Sequence, residues 1–279
     1  IFIWHQILLA FYRYYFSNKN GILFIILYLG TVLLVSEVSY RLIELKSYKY
    51  AGKKVIVGGI SLWALSTGLS LVVFFHAGVV RDVPELGVYM NNVHRGMHKE
   101  YCDRIYSYDH DFMNNGRIKV FVTGWSFARD FANILLESEW GDYIDLSYAP
   151  TYTEDYNDRI READYVFVWG NKNNYLDDLF DISDGAYWGI GPKNFGESNG
   201  IIYKNRFLQN YFEQVVEIDD SFMVENEDDK KQWGNNYIDM IRLIQIDDGV
   251  IPVFTDDNMF ISQDCRHLTE AGARYYATL

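Results

Sequence analysis

Three residues of this chain have the types and spacing for nucleophilic acyl chemistry: Ser126 in KVFVTGWSFARDF, and Asp264 with His267 in DCRHLTEAGA. Ser126 follows an apolar, β-branched run and a glycine, and helical spacing begins directly after it. A serine at such a junction lies where free N–H groups and the helix dipole stabilise a developing oxyanion. The same junction also calls for a helix cap, and Ser is a preferred N-cap. Asp264 stands three residues before His267, where a carboxylate can fix the tautomer of a general base and stabilise its imidazolium. Of the other histidines, His5 and His76 fall in apolar stretches and His94, His98 and His110 in a polar segment.

Bringing Ser126 to His267 requires a fold that returns both to one edge. The runs IKVFVTG, YIDLSYA, DYVFVWG, AYWGIG and GVIPVF read as strands. Between them ARDFANILLES, TEDYNDRIREA, NRFLQNYFEQVVE and NNYIDMIRLIQ read as helices, and ENEDDKK as a solvated loop or helix start. This alternation predicts an α/β domain with three layers, helices covering both faces of a central parallel sheet. Ligands of such sheets bind beyond the carboxyl ends of the strands, here at GWS, YAPTY, WGNKNN, GPKNFG and FTDDNMF. Serine after the first strand and Asp-x-x-His after the last then share that edge.

The first 80 residues differ in character. They carry seven basic and two acidic side chains, a net of +5, so the remainder holds −18 of the total −13. Apolar stretches run over residues 1–16, 21–38 and 55–80, two of them near the ~20 residues that span a bilayer. We read 1–80 as transmembrane helices, 81–115 as a linker or lead-in, and 116–279 as the α/β domain. The basic loop ELKSYKYAGKK is expected on the cytoplasmic side, which puts everything after about residue 81 outside the cytoplasm. The chain begins at Ile1 with no methionine and no small-residue cleavage site follows, so its start is read as a truncated membrane domain rather than a signal peptide.

An acidic domain argues against nucleic acid as a partner, because phosphate contacts need Lys and Arg. The sequence has no glycine-rich nucleotide loop and no Cys/His metal spacing, so neither a metal nor a bound cofactor is expected. Cys102 and Cys265 both fall in the part read as extracytoplasmic, where a disulfide is chemically permitted. Their spacing is compatible with a bridge and with two free thiols. An aromatic share of 17% would suit stacking on sugar rings.

The pairing of VFVTGWSFARD with DCRHLTEAGA resembles the SGNH (GDSL-like) hydrolase and acyltransferase family over most of residues 116–279. That resemblance implies Ser126 as nucleophile, His267 as general base and Asp264 as the residue that orients it. Trp125 departs from the family, which usually has Asp there. The family's oxyanion hole uses the serine N–H with a Gly and an Asn from later blocks. By resemblance, Gly170 and Asn171 of WGNKNN stand in roughly that place, with Asn173 close by and Asn194 of GPKNFG competing for the role.

IWHQILLAFYRYYF and SYRLIE resemble the last helices of the membrane acyltransferase-3 family, through Trp4 and His5 and through Ser39, Tyr40, Arg41 and Glu44. Ile7 replaces the usual proline. Together the two resemblances imply a multi-pass protein of the bacterial inner membrane that O-acylates, in the simplest case O-acetylates, a surface or extracytoplasmic polysaccharide. An acetyl donor such as acetyl-CoA is expected at the membrane domain and a glycan as acceptor, with lipid bilayer around the helices. The alternatives are a carbohydrate acetylesterase using the same triad with water as acceptor, or a degenerate glycan-binding domain.

Overall fold

The computed structural model describes residues 2–16, 21–45, 52–75, 99–174, 177–180, 182, 186–196, 208–262 and 264–279. Lys46, Lys49, His76, His94, His98 and residues 205–207, all used in reading the sequence, lie outside them. The chain divides into two units, Ile1–Val79 and Val80–Leu279.

In the first unit α1 (Phe2–Phe16), α2 (Ile22–Ser39) and α3 (Gly52–Phe75) follow the three apolar stretches, and α2 runs on through a π turn, Tyr40–Glu44. Two spans, Ile22–Glu44 and Gly52–Val72, are long and apolar enough to cross a membrane, with mean hydropathies of 2.2 and 1.9. Their apolar side chains point outward all round, Leu34 and Leu62 among them, which is the pattern of a helix that meets an apolar surrounding. α1 packs on α2 through Tyr12, whose hydroxyl lies 2.8 Å from Thr31 Oγ1 and whose ring meets Phe24 and Tyr28 edge-on.

The strands of the second unit are β1 (Ile118–Thr123), β2 (Ile144–Ala149), β3 (Tyr165–Trp169), β4 (Ala186–Ile190), β5 (Val215–Glu217), β6 (Tyr237–Ile238) and β7 (Val250–Pro252). Its helices are α4 (Lys99–Asp103), α5 (Ser126–Glu137), α6 (Asn157–Glu162), α7 (Asp177–Phe180), α8 (Asp220–Trp233), α9 (Met240–Ile244) and α10 (Glu270–Ala277). Five strands form a parallel sheet in the order β2-β1-β3-β4-β6. The register sets Thr123 beside Ala149 and Val168. The turns that begin at Gly124 and Pro150 therefore leave the sheet at one level, and β3 runs one residue further before its turn at Gly170.

Helices cover both faces. On one face Val166 and Val168 meet Ile160 of α6, Leu179 of α7 and Trp233 of α8. On the other, Phe167 meets Phe131 of α5 with ring centroids 5.0 Å apart, and α10 lies against α5. The three-layer α/β expectation is met.

The sheet's fifth position is filled differently from the reading of the sequence. GVIPVF supplies β7, which pairs antiparallel with β5 in a separate ribbon, Pro252 opposite Val215. A proline has no N–H to give to an inner strand, so a ribbon edge suits it. The fifth strand is Tyr237–Ile238, inside a stretch read as helix. Asp239 ends it by capping α9, its side chain accepting from Arg242 N. NRFLQNYFEQVVE likewise yields a 3-10 turn, Tyr211–Glu213, and then β5, where consecutive valines favour extended backbone. ENEDDKK lies within α8, which Asp219 caps.

The described part of the lead-in is built into the α/β unit. Arg104 donates to Asn133 and Glu137 of α5, and Ile105 is fully buried. Met113 N donates to Asp145 and Ser147 Oγ donates to His110 O, so this segment is tied to one face of β2.

Candidate active site

The β1–α5 junction turns on Gly124, whose φ of +134° lies in the region that favours glycine. A Cβ there would stand 2.7 Å from the Trp169 Cβ and 3.0 Å from the Ala128 Cβ. Glycine thus lets the ends of β1 and β3 close on the first turn of α5. Tyr148, buried in β2, donates to Gly124 O at 2.8 Å and holds the turn from below. Trp125 occupies the N-cap position without a side-chain capping bond, and Ser126 is the first helical residue. Its hydroxyl makes no hydrogen bond within the described residues, so the capping role open to it in the sequence is not taken up. First-turn N–H groups lack intrahelical acceptors, and Ser126 carries one of them.

Asp264 and His267 are in direct contact. His267 Nδ1 lies 2.8 Å from Asp264 Oδ2, while Asp264 Oδ1 accepts from the backbone N–H of Arg266 at 2.6 Å and of His267 at 2.8 Å. Burial alone would raise the Asp264 carboxyl. The bonds from the His267 ring, the His267 N–H and the Arg266 N–H outweigh it and hold the carboxyl at about 2. With Nδ1–H given to Asp264, Nε2 is left as the basic nitrogen. Ser262 Oγ closes the base of this loop, within hydrogen-bond reach of Asp264 O at 2.7 Å and His267 O at 2.6 Å.

What joins the two halves is Asp130, one turn along α5 from Ser126. Its Oδ2 accepts the backbone N–H of Leu268, the residue after His267, at 3.0 Å. The same oxygen lies 2.9 Å from Lys193 Nζ, and both side chains are almost wholly buried, at 2% and 1% exposure. Burial pulls the Lys193 ammonium below its usual range and Asp130 opposes this. Lys193 also sits 4.0 Å from the centroid of the Phe127 ring, next to Ser126. One carboxylate thus anchors the helix that begins at Ser126, the GPKNFG loop and the loop that carries His267. The sequence carries a faint sign of this: Asp130 stands among Ala128, Phe131 and Ala132 on the buried stripe of α5, where an acid needs a partner. Lys193 gave none. No hydrogen bond links Ser126 to His267.

The expected oxyanion residues separate. Asn194 is a latch: Oδ1 accepts Gly196 N and Asp219 N, and Nδ2 faces Gly196 O at 3.3 Å and Cys265 O at 3.5 Å. Those partners are all within the fold, and Asn194 is 3% exposed. Gly170, at φ +92°, gives its carbonyl to Trp233 Nε1 at 2.9 Å and its N–H to Ile190 O at 3.4 Å. Asn171 accepts from Asn173 N through Oδ1, and its Nδ2 makes no hydrogen bond within the described residues. Gly170 and Asn171 line a cavity of about 640 Å³ together with Gly124 and Trp125, the two residues before Ser126.

Cys102 and Cys265 are not joined by a disulfide, so the bridge that spacing permitted is not formed. Cys102 is buried in α4, and burial pushes its thiol up to about 11, with Arg129 opposing. Among the described residues no group of three or more His, Cys, Asp or Glu is arranged to hold a metal.

No family model and no curated protein matches the sequence. Among solved structures, the chain is similar to the periplasmic domain of a lipopolysaccharide acetyltransferase from Salmonella ser. Paratyphi A. The identity is 12% and the TM-score 0.45, over 65% of this chain and 94% of that one.

Proposed function

We propose that the second unit is a serine acyltransferase that passes an acyl group, acetyl in the simplest case, to a hydroxyl of an extracytoplasmic polysaccharide. One observation supports this most directly. Asp130 ties Leu268 to α5, so a histidine paired to an ionised aspartate is held by the helix that begins with Ser126.

In this reading His267 Nε2 takes the Ser126 proton as Oγ attacks the carbonyl carbon of the acyl donor. The donor's leaving group departs with that proton and an acyl-serine ester remains. A sugar hydroxyl then gives its proton to His267 and attacks the ester carbon, which returns Ser126 to its starting form. Asp264 stays ionised and stabilises the imidazolium in both steps. The N–H of Ser126 and Asn171 Nδ2 are the donors available to the oxyanion. Catalytic hydrogen bonds are often long in an unliganded site and tighten with substrate, and the approach of His267 to Ser126 Oγ belongs to that bound state. Ile22–Glu44 and Gly52–Val72 cross the bacterial inner membrane with their basic connection inside, and acetyl donor, such as acetyl-CoA, is drawn from the membrane half.

The experiment uses the full chain. Reaction with p-nitrophenyl acetate is expected to give a burst and an acetylated Ser126 by mass spectrometry, both absent in Ser126→Ala. Adding a polysaccharide acceptor should move the acetyl group onto sugar hydroxyls. Acetate release with no acetylated sugar would make the domain an esterase, and the absence of an acylated serine would defeat the serine mechanism.

A further inference from the structure

The cavity beside Ser126 has a one-sided lining. Glu154, Glu225, Asp228 and Asp229 contribute carboxyl groups, and no lysine or arginine is among the lining residues. Trp125 stands at its side 68% exposed, an indole presented outward where most large rings of this unit are packed. Asp229 is the unusual member. It is 2% exposed, it lines the cavity, and its Oδ2 has no hydrogen-bond partner. Burying a carboxyl without a partner costs free energy that a ligand's donor would recover. Aromatic faces and carboxylate acceptors together are the chemistry that grips a polyhydroxyl ring. Four acidic groups with no cation among the lining residues would repel a uronate, a sialic acid or a phosphate.

We propose that this cavity is the acceptor subsite and that it takes a sugar without anionic groups, stacked on Trp125 and donating a hydroxyl or ammonium hydrogen to Asp229. The inference rests on the acyl-transfer reading and adds the class of acceptor to it. It also gives a role to Trp125, the residue at which the sequence departs from the SGNH pattern. Trp125 and Ser126 are adjacent, so a ring against the indole offers its hydroxyls beside the ester.

The test is saturation-transfer NMR on the full chain in lipid nanodiscs with three probes: mannotriose, a glucosamine trimer and a galacturonate trimer. Mannotriose or the glucosamine trimer is expected to bind at least about tenfold more tightly than the galacturonate trimer. A preference for the glucosamine trimer assigns the ammonium to the carboxyl groups, and equal binding of the two assigns hydroxyls. Trp125→Ala, at an exposed position, and Asp229→Asn should each weaken the bound probe by roughly tenfold. Galacturonate binding as tightly as mannotriose, no probe binding, or binding indifferent to both substitutions would each overturn the proposal. Acetylation of Ser126 by p-nitrophenyl acetate, measured in the same preparation, separates the two levels. With it intact, a negative sugar result removes the subsite alone. Without it, the acyl-transfer reading itself has failed.

Discussion

Asp130 and Leu268 stand 138 residues apart and are joined by a buried hydrogen bond of 3.0 Å, side chain to backbone. Its donor follows His267 directly and its acceptor lies one helical turn beyond Ser126. The residue that ties the His267 loop to the Ser126 helix is therefore neither of them, and its charge is balanced by Lys193 at 2.9 Å and Arg129 at 3.7 Å rather than by solvent.

Replacing Asp130 with Ala should be costly, because it leaves the Lys193 ammonium buried and the Leu268 N–H unpaired. A loss of about 3–5 kcal/mol is expected in urea unfolding at pH 7. The pair Asp130→Leu with Lys193→Met should recover part of that, since the Lys193 ammonium is gone and only Arg129, 3.7 Å from Asp130, loses a partner. A single variant within about 1 kcal/mol of the parent would show that the clamp carries little.

Asp264→Asn separates chemistry from architecture. The Asn Oδ1 can still accept from the N–H groups of Arg266 and His267, while the atom facing His267 Nδ1 becomes a donor and favours the wrong tautomer. Turnover of p-nitrophenyl acetate should fall by about 10⁴-fold, with the variant still folded by circular dichroism. Equal turnover in parent and variant would remove Asp264 from the mechanism. The parent carboxyl is held at about 2, below its usual value of 3.8. Its contribution to stability is thus present above pH 4 and is lost as the pH falls toward 2.

Asp229 has the opposite sign. Burial first, and then the charges of Glu225 and Asp228, raise its carboxyl from 3.8 to about 6. The folded state holds a proton that the unfolded state has released, so stability falls as pH rises through this window. Asp229→Asn should abolish that slope and leave the protein about 1–2 kcal/mol more stable at pH 8. Thermal melts of parent and variant between pH 4 and 8 read this directly, and parallel curves would contradict it.

Gly124→Ala tests the turn ahead of the nucleophile. The new methyl must displace Trp169 or α5, at a backbone angle that L-residues avoid. A loss of about 1–3 kcal/mol should accompany a fall in the acylation rate of Ser126. Crystallography or NMR of the variant showing an unmoved first turn, with the rate unchanged, would mean the junction is less strict than its geometry implies.

The layers of this fold were legible because β1, β2, β3 and β4 are apolar, β-branched runs long enough to separate from the helices around them. The fifth strand was not. Tyr237–Ile238 has two residues, too few for any period, and it sits against helical spacing that starts again at Met240. β7 looked like a sheet member by composition, and only its partner, the distant Val215–Glu217, decides otherwise. At the site, Ser126, Asp264 and His267 could be chosen by type and by their place after the first and last runs. The backbone contacts of Asn194 were not legible, because an Asn in a glycine-rich loop reads alike whether its amide meets a ligand or its own backbone. Asp229 was hidden in ENEDDKK, where charge density suggests solvent and burial of one member depends on the helix face.

The clamp on Leu268 also has an order in time. A chain made from its N-terminus forms the Ser126 turn and the strands beside it well before residue 268 emerges. Until then Asp130 lacks its Leu268 partner, and α5 has no tie to the Asp264–His267 loop. The tie between the first long helix of the sheet and the loop before the last one is therefore among the latest contacts that this unit can make.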